Sequence, residues 1–570
     1  AIDEARSVGN VADGRWTTQT QCHTALEPHA AVAVWDGPRR VTVYLSTQAV
    51  SAMSGEIAER WGLRDEDVRV LALYVGGGFG AKATLQTEAV VAIELAKVCG
   101  APVRYALDRR YEIMLGGNRP GTRIDVALAT DRAGELVGMR SETLADCGVA
   151  VGHVSSVMFR IIYPEAPRKL MDTDVVSHGP PSKPMRGPGG PPAFWALEGA
   201  IDELAHQRGE DPLALRKRWD PNPARKPLYA WAQTIARWRD RGPVAADKGR
   251  FRRGVGVACG AWFAFAEPRS RVQLDLRARG DKGDAAGLVA STASQDIGNG
   301  TRTLIARSIS ERFGIAPSDV GVRVGDSRFV HGPMAGGSRT TSSLVGPCID
   351  ACDQLAAELV EFASRRFGLR RAKPGKDGVV HEGGTMAWRD VFSVAPEITV
   401  VGRRRRDEGG YFLPPLVGLA VERYVASSLQ IAEVEVDTRL GRIRVVETWV
   451  GLGVGRIAAP VLARSQAEGG TVQGIGFALY EERRLDPKAG YLLTSGLEDY
   501  RVPGLGDIGP IHVHFEEHGY EKVPGHNVGL GEIVTLTPAA AIGNAVYHAT
   551  KWRPRDLPLR PDRVLKGLRA

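Results

Sequence analysis

A chain of 570 residues is too long for one hydrophobic core and implies two or more domains. Apolar residues at 43% and charged residues at 25% exclude the disordered and fibrous classes. The net charge of +8, from 74 basic and 66 acidic residues, is scattered along the chain, so no nucleic-acid surface is expected. The dense run Arg403 to Arg406, followed at once by Asp407, Glu408, Gly409 and Gly410, reads as a solvated loop. Six cysteines form no C-x-x-C pair, so zinc and iron–sulfur ligand spacings are missing. Cys348 and Cys352, four apart on a predicted helix, read as two buried thiols. No apolar stretch reaches membrane-spanning length, and the first residues lack the layout of a signal peptide. Because the sequence opens on Ala1, a leading segment is expected to have been cleaved or omitted. The chain reads as soluble, with cytoplasm and periplasm both open.

In chain order, AVAVW (31 to 35) and VTVYLST (41 to 47) flank Asp36-Gly37-Pro38 and predict a hairpin. VRVLALYV (68 to 75) reads as a buried strand, GGGFG (76 to 80) as a loop, and residues 84 to 100 as a helix stopped by Gly100. The helix FWALEGAIDELAHQRG places Leu197, Ile201 and Leu204 on one face and most charges on the other. A proline-rich stretch, 219 to 253, predicts a junction near Arg253, dividing the chain into 1–253 and 254–570. The strand, glycine loop, helix unit then recurs. LVASTAS (288 to 294) leads through QDIGNG to a helix ending at Gly314, and GPMAGGSRTTSSL (332 to 344) leads to a helix opened by Pro347. AEGG (467 to 470) precedes the helix VQGIGFALYEER, and VGLGE (528 to 532) precedes TPAAAIGNAVYHATK.

Exposed N–H groups at a helix N-terminus attract anions, and glycine lets a ligand approach the backbone. One such loop is more often a tight turn; five in one chain point to an anionic cofactor. GGGFGAK lacks P-loop spacing, since Lys82 is followed by Ala83, and it lacks G-x-G-x-x-G, so nucleotide-fold readings fail. His23, Glu27 and His29 look like a metal cluster, but Pro28 breaks the helix that would align them, and a packed, hydrogen-bonded histidine pair is expected. Arg186, between Pro184 and a Gly/Pro-rich loop, reads as a rigid ligand-facing turn ahead of a surface salt bridge. From its neighbours alone, Glu532 would complement the N-terminus of the helix that follows.

In this order, GGGFGAK, MRGPGGPPAFWALEGAIDELA, QDIGNGT, GGSRTTSS, QAEGGTVQG and GLGE resemble the molybdenum-binding subunits of the xanthine dehydrogenase/aldehyde oxidase family. The resemblance runs from about residue 24 to residue 565 and is strongest to bacterial aldehyde-oxidising members. It implies an α+β fold of two elongated molybdenum-cofactor-binding domains, without the family's small N-terminal α+β domain, which a separate chain or a removed segment would supply. The implied cofactor is molybdenum with molybdopterin cytosine dinucleotide, held through the pterin dithiolene, with no protein ligand to the metal.

By motif match, Gln48, Gly77, Gly78, Phe79, Gly80 and Arg186 would surround the metal's inner ligands. Gly298, Asn299, Gly337, Ser338, Thr340 and Gln466 would hold the pterin or its nucleotide. Glu532 matches the glutamate that takes the proton from a molybdenum-bound hydroxide as its oxygen attacks an aldehyde carbon and hydride passes to sulfido, giving a carboxylic acid. The alternatives are hydroxylation of an N-heteroaromatic ring and a non-catalytic cofactor-binding scaffold. The resemblance also implies partners, an iron–sulfur subunit and a flavin (FAD) subunit, because the chain has no motif for either. Purine-oxidising relatives carry a glutamate and a phenylalanine where this chain has Ala83 and Pro188, so a purine clamp is not expected and Pro188 is assigned to the substrate pocket. Carbon-monoxide-oxidising relatives carry an arginine-cysteine pair, and MRGPGG has no cysteine. GLGEIVTLTP replaces the more usual GVGEPP run behind the glutamate.

Overall fold

The computed structural model describes residue 2 and residues 10–163, 166–277, 287–404, 411–416 and 419–569. The chain enters through β1 (Asn10–Thr18), the predicted hairpin β2 (Ala30–Asp36) and β3 (Arg40–Leu45), helix α1 (Val50–Trp61), β4 (Val68–Leu71), α2 (Thr87–Cys99) and β5 (Val103–Ala106). Strands β4, β3, β2 and β5 lie side by side in that order, and their apolar residues share one core with α1 and α2. Next come β6 (Gly121–Thr130), β7 (Leu136–Gly148) and β8 (Arg168–Val176), which extend β1 into the sheet β1-β6-β7-β8. Helices α3 (Gly190–Gln207) and α4 (Pro212–Trp219) follow.

The second half opens with the long strand β9 (Phe251–Ala266) and holds β10 (Arg271–Leu276), β11 (Leu288–Thr292), α5 (Thr301–Phe313), β12 (Val320–Val324), α6 (Thr340–Phe367) and β13 (Ile398–Arg403). After these come β14 (Leu419–Asp437), β15 (Arg442–Gly453), α7 (Pro460–Leu479), β16 (Ile511–Glu516) and α8 (Pro538–Thr550). One sheet runs β9-β14-β15-β16 and another β12-β11-β10-β13, the latter covered by α5 and α6. The largest core joins both halves, because α3 with β1 and β6 packs into the same cluster as β9, β14 and α8. Arg253 lies inside β9.

Several expectations need correction. Strand β4 ends at Leu71 rather than running to residue 75, because the Ala72 N–H bonds the Gly325 carbonyl and draws the chain out of the sheet. Helix α6 begins at Thr340, and Pro347 is an interior residue instead of the opening one. The proline removes a donor, but the turn before it is retained by burial of Ser342, Ser343, Leu344 and Val345, and Arg404 supplies a donor to the Ser342 carbonyl. Arg404 is therefore buried rather than solvated; Arg405, Arg406 and the four residues after them lie outside the described residues. Residues 467–470 are not a loop but the middle of α7. Gly470, and Gly474 one turn on, serve helix packing: a Cβ at Gly470 would stand 2.2 Å from a Val534 methyl, and one at Gly474 would stand 2.3 Å from the Pro538 ring.

The charged face of α3 is also inside, because the helix is covered on both sides. Glu198, fully buried, accepts from Arg216 Nε at 2.7 Å, from the Cys259 N–H at 2.7 Å and from the Tyr163 hydroxyl at 3.1 Å. The Cys259 bond ties α3 to β9 and so links the two halves. Removing one partner of a buried pair leaves an uncompensated charge. Arg216→Met is therefore expected to destabilise the protein by about 3–5 kcal/mol, read as a lower midpoint of unfolding in denaturant.

Candidate active site

Loops from distant parts of the chain converge on a cavity of about 750 Å³. Gln48, Phe79, Gly80, Arg186, Pro188, Gly298, Asn299, Gly337, Ser338, Thr340, Gln466 and Glu532 all line it. Gly77 and Gly78 do not. They form the turn behind the wall: Gly77 sits at φ +90°, and a Cβ on Gly78 would stand 2.6 Å from Gln48 Oε1. That turn carries Phe79 and Gly80 to the cavity and presses Gly80 on the 184 segment, where a Cβ would lie 2.0 Å from the Pro184 carbonyl oxygen. Gln48 locks it to the loop before α6, accepting from the Gly80 N–H at 2.9 Å and donating to the Ala335 carbonyl at 2.6 Å.

Behind this wall His23 and His29 are buried and hydrogen-bonded, as expected for a packed histidine pair. His23 sits between the carbonyls of Gly117 and Pro184, and burial pulls its pKa down to about 4. His29 Nδ1 pairs with Glu112 at 2.9 Å. Lys82, also buried, pairs with Glu27 at 3.0 Å. These groups brace the glycine turn and hold no metal cluster; none of three or more such residues occurs among the described residues.

Glu532 sits at the entrance to a short 3-10 turn (Ile533–Thr535) ahead of α8. Its carboxylate goes to Ser338 instead of to the helix N-terminus: Ser338 Oγ donates to Oε2 at 3.3 Å and accepts from the Glu532 N–H at 2.9 Å. Burial pushes the carboxyl above the usual carboxylate range. The Gly187 N–H, the Ser338 hydroxyl and the charges of Arg339 and Arg186 oppose that rise. Arg186 reaches the same loop through its guanidinium. It donates to the Gly531 carbonyl, to Gln473 Oε1 at 2.9 Å, and to the Gln466 carbonyl and Oε1 at 3.0 and 3.1 Å. Arg186 is thus a clamp between α7 and the Glu532 loop, with no surface salt bridge, and it lines the cavity.

The glycine loops at helix starts differ from one another. At α5 the carboxylate of Asp296 already accepts from the N–H groups of Gly298, Gly300 and Arg302 at 3.0, 3.2 and 3.1 Å, so that terminus is filled from within. At α6 the N–H groups of Thr340, Thr341 and Ser342 have no acceptor among the described residues, and Thr340 and Thr341 face the cavity.

Two family profiles, each described as a molybdopterin cofactor-binding domain, match residues 2–219 and 230–509. The chain is 30% identical over 582 residues to the aldehyde oxidoreductase molybdenum-binding subunit PaoC of Escherichia coli strain K12, covering 98% of this chain and 75% of the relative. The chain belongs to the xanthine dehydrogenase/aldehyde oxidase family. It is a molybdenum-cofactor-binding subunit of that family, also 26% identical to the xanthine dehydrogenase molybdenum-binding subunit of Escherichia coli O157:H7, over 97% of this chain and 76% of that one. Its fold is shared with quinoline 2-oxidoreductase from Pseudomonas putida 86, at a TM-score of 0.85 and 21% identity, over 100% of this chain and 78% of the other. It is shared too with aldehyde oxidoreductase from Desulfovibrio gigas, at 0.80 and 22%, over 99% and 62%.

The residues present fit such a cofactor. A long helix, α6, aims unpaired N–H groups at the cavity, which suits an anionic group, and no Cβ fills the wall at Gly298, where nothing lies within 4 Å. Sequence reasoning missed Arg339, which lines the cavity inside the quoted GGSRTTSS, and the aromatic trio Trp262, Phe263 and Phe265 of β9. Their signal was only an apolar strand; a register shift between Phe263 and Phe265 gathers the rings within 5.5 to 6.4 Å of one another.

The site is closed by a backbone crossing at Gly529, where a Cβ would lie 1.6 Å from the Ser338 carbonyl oxygen. At Gly531 the nearest atom would be Ser338 Oγ at 3.6 Å. Gly529→Ala is therefore expected to lose most of its bound molybdenum and Gly531→Ala to keep it, measured as metal per chain on purified protein.

Proposed function

We propose that this chain is the catalytic subunit of an oxidoreductase that converts aldehydes to carboxylic acids, with Glu532 as its base. One observation carries the reading. Among the described residues lining the cavity, Glu532 is the one carboxylate, and no histidine, cysteine, lysine or tyrosine joins it. Any proton released to a side chain there near neutral pH goes to Glu532. The similarity to a relative named as an aldehyde oxidoreductase subunit supports the substrate class. So do Ala83 and Pro188, which line the cavity and leave Glu532 as its one glutamate, with no second to grip a purine.

When bound, the molybdenum cofactor supplies the two-electron oxidation. Gln48, Phe79, Gly80 and Arg186 border the metal end in this reading, with Gly77 and Gly78 shaping the turn behind. Gly298, Asn299, Gly337, Ser338, Thr340 and Gln466 hold the pterin and a cytosine dinucleotide tail, whose phosphates suit the open N-terminus of α6. Pro188, with Trp262, Phe263 and Phe265, gives the substrate an apolar wall. Glu532 holds the proton at a carboxylate oxygen while Ser338 steadies Oε2. Electrons leave through partner subunits, one bearing iron–sulfur clusters and one FAD. The chain divides functionally into 1–253 and 254–570, the second part carrying Glu532. No described helix is long and apolar enough to cross a membrane.

A general base contributes about 10²–10⁴ in rate. Glu532→Gln is expected to lower kcat/KM by that factor with molybdenum content unchanged; parental turnover would exclude Glu532 as the base. Since the base must be ionised, and burial raises its pKa, kcat/KM is expected to rise with pH through a limb lying above the ordinary carboxylate value. A panel of aromatic aldehydes against N-heteroaromatic rings decides the substrate class. Turnover confined to the rings would favour ring hydroxylation, and no turnover by molybdenum-loaded protein would favour a scaffold.

A further inference from the structure

Behind the Glu532 loop lies a buried charged group that the proposed chemistry does not use. Arg119, 2% exposed, donates through Nη2 to the Arg186 carbonyl at 2.9 Å, through Nη1 to the Gly187 carbonyl at 3.0 Å and through Nε to Gln21 Oε1 at 3.1 Å. The Arg186 carbonyl and the Gly187 N–H are two ends of one peptide group. That N–H belongs to a residue packed against Glu532, where a Cβ on Gly187 would stand 3.6 Å from the Glu532 carbonyl oxygen, and it favours the charged form of the carboxyl. A peptide group is planar and stiff, so a grip on its oxygen sets the direction of its N–H. A guanidinium on the carbonyl also polarises the group and strengthens the donor at its other end. The Thr535 hydroxyl lies 3.1 Å from the Arg186 carbonyl oxygen and 3.0 Å from the Glu532 carbonyl oxygen and shares its one proton between them.

We infer that Arg119 is a positioning residue for Glu532, acting through the peptide between Arg186 and Gly187 and balanced by Glu481 as its counter-charge. Glu481 is buried, accepts from the Tyr500 hydroxyl at 2.9 Å and acts on Arg119 through its charge. Burial raises its carboxyl to about 7. The charged groups facing Glu532 are Arg186, Arg339 and Arg119; those facing Arg119 are Glu481 and Glu532, with the Tyr500 phenol beside them. Removing Arg119 takes away one positive charge and the fixed N–H, and both losses raise the Glu532 pKa.

This inference rests on Glu532 being the base, and its test separates the two. Arg119→Met leaves Glu481 buried without its partner, so Arg119→Met/Glu481→Gln, which removes both charges together, is the variant that keeps the fold testable. Hydrogen–deuterium exchange of the cofactor-free chain reads the grip directly: residues 184–190 are expected to exchange at least tenfold faster in the double variant than in Glu481→Gln alone. In the loaded enzyme, the acid limb of kcat/KM is expected to move about one pH unit upward, the shift typical of losing a neighbouring opposite charge. Arg119→Lys, which keeps the charge but not the two-pronged geometry, is expected to lower kcat about tenfold with KM little changed and the limb shifted less. Parental exchange over 184–190 in the double variant overturns the positioning role whatever the activity shows. Faster exchange with an unmoved limb overturns the coupling to Glu532. If Glu532→Gln is fully active while exchange still rises, the base assignment fails and the grip of Arg119 stands.

Discussion

The place where Gly529 passes over Ser338 is the constraint from which the rest of the site follows. Two segments about 190 residues apart in sequence meet there with backbone against backbone, closer than any Cβ allows. Ser338 accepts a left-handed φ of +54° to make the crossing, a conformation that costs of the order of 1–3 kcal/mol outside glycine. Its hydroxyl then meets both the N–H and the carboxylate of Glu532, which offsets that cost. On the opposite side Gly187 and Gly190 lie against Leu536, each so close that a Cβ would come within 2.5 Å of its methyl. Glu532 is therefore held by loops from three regions of the chain.

How it is held matters for its chemistry. A carboxylate paired directly with an arginine has a depressed pKa and is a poor base. Among the described ion pairs Glu532 has none. Arg186 spends four hydrogen bonds on neutral carbonyl and amide oxygens and acts on Glu532 only at a distance, which keeps the loop rigid while drawing the carboxyl down by less than burial raises it. Buried charge elsewhere in this chain is used in the same indirect way. Lys82 with Glu27 braces the glycine turn, and Arg216 with Glu198 ties α3 to β9. Such pairs contribute little net stability once desolvation is counted. Their effect is on which loop lies against which.

The family motifs made most of the cavity wall readable, because a loop that must approach a ligand or another backbone keeps its glycines at fixed spacing. The hairpin at Asp36-Gly37 and the helix stops at Gly100 and Gly314 were legible for a related reason, since those positions need a left-handed φ. The same residue misled at Gly470. There glycine thins a helix for close packing on Val534, a use whose local sequence looks like a turn. Asp296 was likewise unreadable as an internal cap, because an aspartate before a helix and an open anion site differ only in where one side chain folds back. Arg119 lies outside every quoted motif, and although Gln473 and Thr535 fall inside quoted runs, nothing local shows which loop they bond. Only the fold brings them to the Arg186 and Glu532 loops.

The composition of the cavity wall bears on both ends of the proposed reaction. An uncharged aldehyde enters against Trp262, Phe263, Phe265 and Pro188 at little desolvation cost, and these aromatic faces favour flat apolar molecules. A carboxylic acid leaves the same wall as an anion. Transfer of an ion into apolar surroundings is strongly unfavourable unless it is paired. Glu532, once it has passed on its proton, is a second negative charge in that space, and like charges at close range repel. The apolar part of the wall that admits the neutral substrate therefore disfavours retention of the ionised product. Substrate selection on this reading comes from the aromatic and proline wall, and release of the product is set by that wall and Glu532 acting against the attraction of Arg186, Arg339 and Arg456, which line the same cavity.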